Sequence, residues 1–172
     1  MVSLILPMPR FEPALLESLA ACVPAVADGL IRDALVATPT RSGELDAIID
    51  AAGCHLVSAE GDTWALLQAA SAQARSDWFL VLSPGLVPSG GWIAQSEDFL
   101  SDHDPEMIGL ARLQPKGSLI KRLGYLGENR LNPLRSRPVL HGALIHRRGL
   151  HTPEKTRRTR LEWILTDRRR GV

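Results

Sequence analysis

Trp78-Phe79-Leu80-Val81-Leu82 runs without a break into Ser83-Pro84-Gly85-Leu86-Val87-Pro88-Ser89-Gly90-Gly91. An uninterrupted apolar run that ends at turn formers fits a strand buried on both faces, the kind found in the middle of a parallel sheet. The breaker-rich loop then gives way to an expected helix from Trp92 to about Leu100.

The same unit recurs upstream. Val2–Leu6 is a short apolar run stopped by Pro7, and after Arg10 the pair Glu12-Pro13 opens a helix carrying Leu15, Leu16, Leu19 and Val23, ending near Pro24. Asp33–Ala37 is a second run, followed by the loop Thr38–Arg41. Ser42 is the expected N-cap of a helix with Leu45, Ile48 and Ile49, closed by Gly53. His55–Val57 is a third strand, and Asp62 caps a helix holding Trp64, Leu67, Ala70 and Ala74. Repeated strand-loop-helix units predict an α/β fold with a mostly parallel central sheet and helices on both faces.

Downstream the pattern loosens. Met107–Leu113 reads as a strand, Ser118 to about Arg130 as a basic helix, Val139–His146 as a strand, and Thr156–Arg168 as a last helix. Within it, Leu161, Ile164 and Leu165 share one helical face among arginines, so residues 154–172 fit either a core helix with a solvated side or a basic amphipathic helix on an anionic membrane surface. No repeat, low-complexity tract or linker divides the 172 residues, which are read as one domain with halves at about 1–113 and 114–172.

Composition excludes little, with 45% apolar and 23% charged residues. The net charge of +1 hides an asymmetry: residues 1–111 carry 4 Lys/Arg against 15 Asp/Glu, and residues 112–172 carry 16 against 4. The two halves either solvate different faces or give the second a surface for a phosphate-rich partner. Few aromatics lie among the basic residues, which argues against nucleic acid, and Trp64, Trp78 and Trp92 are expected in the core. Cys22 and Cys54 lack metal-ligand spacing and are expected reduced and buried. The start has no basic n-region and no segment reaches spanning length, which together point to the cytoplasm, with the inner membrane face as an alternative for the last helix.

Neither G-x-G-x-x-G nor G-x-x-x-x-G-K-[ST] occurs, nor do the nucleophile-elbow and zinc-helix motifs. The order of features instead resembles family 2 glycosyltransferases of the GT-A nucleotide-diphospho-sugar fold. Ser3-Leu-Ile-Leu-Pro7 is similar to their opening V-I-I-P strand. Ala69–Leu82 is similar to N-x-G-x-x-x-A-x-G-D-W-L-L-F-L, and Pro84–Trp92 to the D-T-x-L-P-P-G-W continuation. Leu140–Leu150 is similar to G-D-Q-G-I-F-V-R-R-x-L, notably as met in radical-SAM- and selenodomain-associated transferases.

The resemblance implies transfer of a sugar from a nucleotide-diphosphate sugar to an unknown acceptor by displacement at the anomeric carbon. It assigns Pro7, Arg10, Thr38, Arg41, Ser83, Gly85, Arg147 and Arg148 to nucleotide-sugar binding. The departures fall on the family's acids. Thr38 stands where aspartates hold the base and ribose, Ser83-Pro84-Gly85 where aspartates hold a divalent ion, and His141, the candidate catalytic base, where an aspartate acts as general base. No cofactor is evident and a divalent metal is not supported. A cation about 4 Å from a phosphate oxygen contributes roughly 4 kcal/mol at an effective dielectric of about 20, so arginines can take over part of a metal's role. Arg147, Arg148, Arg157, Arg158 and Arg160 are the candidates. Two readings stay open: a metal-independent or weakly active transferase, and a non-catalytic binding or scaffold protein of the same fold.

Overall fold

The computed structural model describes residues 1–102, 104–114, 142–151 and 156–168. In chain order the elements are β1 (Val2–Pro7), α1 (Leu15–Ala27), β2 (Ile31–Thr38), α2 (Gly43–Ala52), β3 (His55–Ser58), α3 (Thr63–Gln73), β4 (Trp78–Leu82) and β5 (Leu86–Pro88). They continue with α4 (Trp92–Asp102), β6 (Met107–Gln114), β7 (Gly142–His146), α5 (Arg147–His151) and β8 (Arg157–Asp167).

The eight strands among the described residues form one sheet in the order β3-β2-β1-β4-β7-β6-β8-β5. β3, β2, β1 and β4 are mutually parallel. β7 then runs antiparallel to both β4 and β6, so β6 and its parallel neighbour β8 point the same way as β4. Strand direction therefore defines two edges of the sheet: a carboxyl edge, where β1, β2, β4 and β8 end, and an amino edge, where they begin.

Local chemistry sets most element boundaries. The Ser42 hydroxyl accepts the Leu45 amide at 3.2 Å and the Asp62 carboxylate accepts the Ala65 amide at 2.9 Å, so both expected caps form. α1 runs through Pro24 to Ala27, past its expected end. Pro24 offers no amide to Ala20, but both residues are exposed, so the bare carbonyl is on the water side.

Each face of the sheet carries its own core. Leu4, Leu6 and Leu80 pack with Leu15 and Cys22 of α1, Leu45 and Ile49 of α2, and Trp92 and Phe99 of α4. Ile5, Phe79 and Val81 pack with Leu66, Leu67 and Ala70 of α3 and Leu150 of α5. Trp64 and Trp92 are buried and Trp78 half-buried, its ring edge-on to Phe99 at 5.7 Å and to His146 at 5.1 Å. Both cysteines are free; Cys22 is buried and Cys54 half-buried. Burial, and secondarily the neighbouring Cys54, pushes the Cys22 thiol up to about 12.

The last expected helix is corrected: Arg157–Asp167 is a strand. Leu161, Trp163 and Leu165 alternate inward and are buried, and β8 finds hydrogen-bonding partners in both β6 and β5. The period-two pattern prevails because two sheet edges are available to it. Between Arg160 and Ile164, the three residues Leu161–Trp163 lie opposite the single residue Ala111 of β6. This bulge sets the Trp163 ring beside Trp92, with centroids 6.1 Å apart. An amphipathic membrane helix over 154–172 is therefore ruled out for Arg157–Asp167. The helix expected over 118–130 lies outside the described residues, as do the first residues of the Val139–His146 strand, of which Gly142–His146 forms β7. No helix among the described residues is long and apolar enough to cross a membrane.

Candidate functional site

The carboxyl edge gathers the ends of β1, β2 and β4 side by side, the position where open α/β sheets bind ligands. Pro7 ends β1 in register with Ala37 of β2, and Met8 just beyond donates to the Ala37 carbonyl at 2.8 Å. Thr38 ends β2, buried, and its hydroxyl accepts the Thr40 amide at 3.2 Å, shaping the loop that leads to α2. Arg41 in that loop is held by Asp46 of α2, its Nε 3.0 Å and 3.2 Å from the two carboxylate oxygens. Arg10 is exposed in the loop after β1.

Ser83-Pro84-Gly85 follows β4 at the same edge. The Leu86 amide donates to the Ser83 carbonyl at 3.1 Å, and Gly85 has φ +81°. Proline then glycine at the two centres is the chemistry of a type II turn, which needs a positive φ at its second centre. The turn is clamped from two directions. From α1, the fully buried Ser18 hydroxyl accepts the Gly85 amide at 2.9 Å and donates to the Leu86 carbonyl at 2.9 Å. From the end of β8, the Arg168 amide donates to the Gly85 carbonyl at 2.7 Å.

Pro7, Arg10, Thr38, Arg41, Ser83 and Gly85 thus share one edge of the sheet, and Arg147 and Arg148 do not. β7 starts at Gly142, opposite Leu82, and ends at His146, opposite Trp78, which carries the chain to the amino edge. There the Arg147 guanidinium donates to the carbonyls of Ser71 (2.5 Å), Ala74 (3.1 Å) and Ser76 (3.0 Å) and pairs with Asp77 at 3.1 Å. It also lies 5.2 Å from the centroid of Phe79. Arg147 caps the C-terminal end of α3, and the antiparallel β7 carries it and Arg148, both expected to contact a nucleotide-sugar, away from the carboxyl edge. Arg157 also begins its strand at the amino edge, 3.9 Å from Asp104. His141 lies outside the described residues.

His146 sits between these groups, its Nδ1 accepting the Arg148 amide at 3.2 Å. Burial lowers its pKa from the ordinary 6.5; the Asp77 charge opposes this, while Arg148 and Arg147 reinforce it. A histidine whose folded pKa is depressed binds protons more readily when the chain unfolds, so stability falls as pH drops below about 6.5 toward the folded value. The melting temperature of the wild type should therefore decline between pH 7.5 and 5.5, and His146→Gln should flatten that decline. An equal slope in the variant would assign the pH dependence to other groups.

Solved structures share this architecture. A glucosyl-3-phosphoglycerate synthase from Mycobacterium tuberculosis, determined with Mn2+, uridine diphosphate and phosphoglyceric acid, aligns with TM-score 0.63 and 17% identity over 86% of this chain and 56% of its own. The same enzyme with Mn2+ and uridine-diphosphate-glucose gives TM-score 0.67 and 15% identity over 98% and 70%. A structure described as a mycobacterial protein gives 0.68 and 17% over 96% and 66%. The chain thus spans 56% to 70% of these proteins, and at such identities the likeness establishes a GT-A glycosyltransferase-like fold and nothing finer. Comparison with protein-family models and with curated proteins gives no match.

Two of these neighbours were determined with Mn2+, and the residues of the Ser83–Gly85 turn, which the family resemblance matches to a metal motif, do not fit a divalent ion. Mg2+ and Mn2+ favour carboxylate and other hard oxygen ligands, whereas Ser83-Pro84-Gly85 has no carboxylate and the carbonyls of Ser83 and Gly85 already accept backbone amides. Among the described residues no group of three or more His, Cys, Asp or Glu is placed to hold a metal.

Proposed function

We propose that this chain binds a nucleotide-diphosphate sugar at the carboxyl edge of its sheet and acts as a glycosyltransferase that does not hold a metal at the Ser83–Gly85 turn. The convergence of Pro7, Thr38 and the clamped Ser83–Gly85 turn at the ends of β1, β2 and β4, on a GT-A-like sheet, carries this reading. The buried Thr38 and the backbone around Met8 would line the nucleoside end. The turn after β4 would face the diphosphate.

Titration with uridine diphosphate, guanosine diphosphate and their glucose conjugates, each with Mn2+ and with a chelator, tests it. A ligand that binds only the folded state raises the melting temperature by mass action. The expected outcome is a concentration-dependent rise with one nucleotide family that survives the chelator. Absence of a rise with every nucleotide would overturn the reading. The clamped turn also suits the non-catalytic alternative, since its backbone groups are already bonded. Release of sugar or its transfer to acceptor alcohols, set against binding alone, separates the two.

A further inference from the structure

The carboxyl edge lacks acids at the turn after β4, but it receives a cation from a part of the chain that no motif marks. β8 runs in the same direction as β4, so it delivers its last residues to the edge where β1, β2 and β4 end. β5, which leaves the turn, pairs antiparallel with the end of β8, with Leu86 opposite Asp167. The ladder extends one residue further, and the Arg168 amide donates to the Gly85 carbonyl at 2.7 Å. Arg168 is thereby attached by its own backbone to the turn standing where relatives of this fold would hold their metal.

We propose that Arg168 is the diphosphate-binding cation of this site and takes the place of the divalent ion. The inference rests on the nucleotide-sugar reading above. Several observations favour Arg168 over the other basic residues. Its side chain is exposed, and successive residues of an extended chain point to opposite faces, so it projects away from the side shared by Asp167 and Leu86. Arg41 already has its charge engaged by Asp46. Arg147 and Arg157 stand at the amino edge, where Asp77 and Asp104 face them. Arg10, exposed in the loop after β1, lies at the same edge and can flank the same phosphates.

The turn suits this exchange of metal for arginine. A divalent ion draws its ligands to itself, whereas a guanidinium donates in a planar fork and must itself be positioned. Positioning is what the clamp supplies: Ser18 fixes Gly85 from α1 and Gly85 fixes the Arg168 backbone. Substituting the Arg168 side chain leaves that backbone bond intact, so the fold is expected to persist.

The test is the affinity of the full chain for uridine diphosphate, inorganic pyrophosphate and uridine, by calorimetry in chelator and in Mn2+, for wild type, R168A, R168K and R75A. R75A removes an exposed charge in the loop before β4, at the amino edge. Wild type and R75A should bind uridine diphosphate alike with and without metal. R168A should weaken uridine diphosphate and pyrophosphate by roughly ten- to a hundredfold, as expected for losing a charge-assisted phosphate contact. It should leave uridine unchanged, and R168K should recover part of the loss. If R168A binds uridine diphosphate like the wild type, the assignment of Arg168 is overturned while the nucleotide reading stands; if binding requires Mn2+, the assignment and the metal-free part of that reading are overturned and nucleotide binding stands. If no nucleotide or pyrophosphate binds the wild type, both are overturned.

Discussion

Arg147→Ala is expected to lower the melting temperature by roughly 4–16 °C, the shift that about 2–4 kcal/mol produces in a chain of this size. The guanidinium serves three carbonyls at once, those of Ser71, Ala74 and Ser76, at the point where α3 stops and the chain turns into β4. The last carbonyls of a helix lack intrahelical donors, and a cation there also complements the helix dipole. The partner Asp77 contributes little to this figure: its side chain is 73% exposed and the pair at 3.1 Å is screened by water. Asp77→Ala should therefore be nearly silent. Arg147→Lys should recover only a small part of the loss, because one ammonium cannot reproduce a planar fork aimed at several oxygens. Thermal melts of the three variants decide the matter. An unshifted Arg147→Ala would mean that water serves those carbonyls equally well.

That role also shows what the sequence could and could not disclose. The first four strand-loop-helix units were legible because their signals are local: Ser42 and Asp62 make the cap hydrogen bonds that their types promise. Pro84-Gly85 makes the turn that its pair of residues promises. The second half depends on strand direction, which is a non-local property. The family resemblance assigns Arg147 to the nucleotide-sugar, but the strand it follows runs antiparallel to β4 and ends at the edge opposite the ends of β1 and β2. Leu161, Ile164 and Leu165 fit helical spacing, while Leu161, Trp163 and Leu165 fit a strand equally well. The arbiters are the open edges of β6 and β5, brought near only by the fold. Arg168 was hidden by the same ambiguity. Read as the end of a helix it has no fixed position, and only as the continuation of a strand does it reach Gly85.

The second large effect is expected at Gly142, where the sheet admits β8. A Cβ built on Gly142 would lie 2.3 Å from Leu165 Cδ1, 3.2 Å from Cγ and 3.3 Å from Cδ2. Gly109 has the same relation to Leu161, with its nearest approach at 2.7 Å. Two strands of the sheet thus give up a side chain where a leucine of β8 must lie. Leu165 is fully buried, so any shift it makes must be taken up by its packed neighbours. Overpacking of this kind is expected to cost about 1–3 kcal/mol for Gly142→Ala and more for Gly142→Val. Leu165→Ala alone should cost about 2–5 kcal/mol as a cavity. In the double variant the new methyl occupies part of the vacated space, so the two losses should fall short of adding, by about 1 kcal/mol or more in a denaturation-based cycle. Strict additivity would show that Gly142 and Leu165 do not meet. Because Leu165 precedes Asp167 and Arg168 on the same strand, Gly142→Val should also displace Arg168 from the Ser83–Gly85 turn. Its loss of nucleotide affinity should then exceed that of a fold-matched substitution elsewhere in the core.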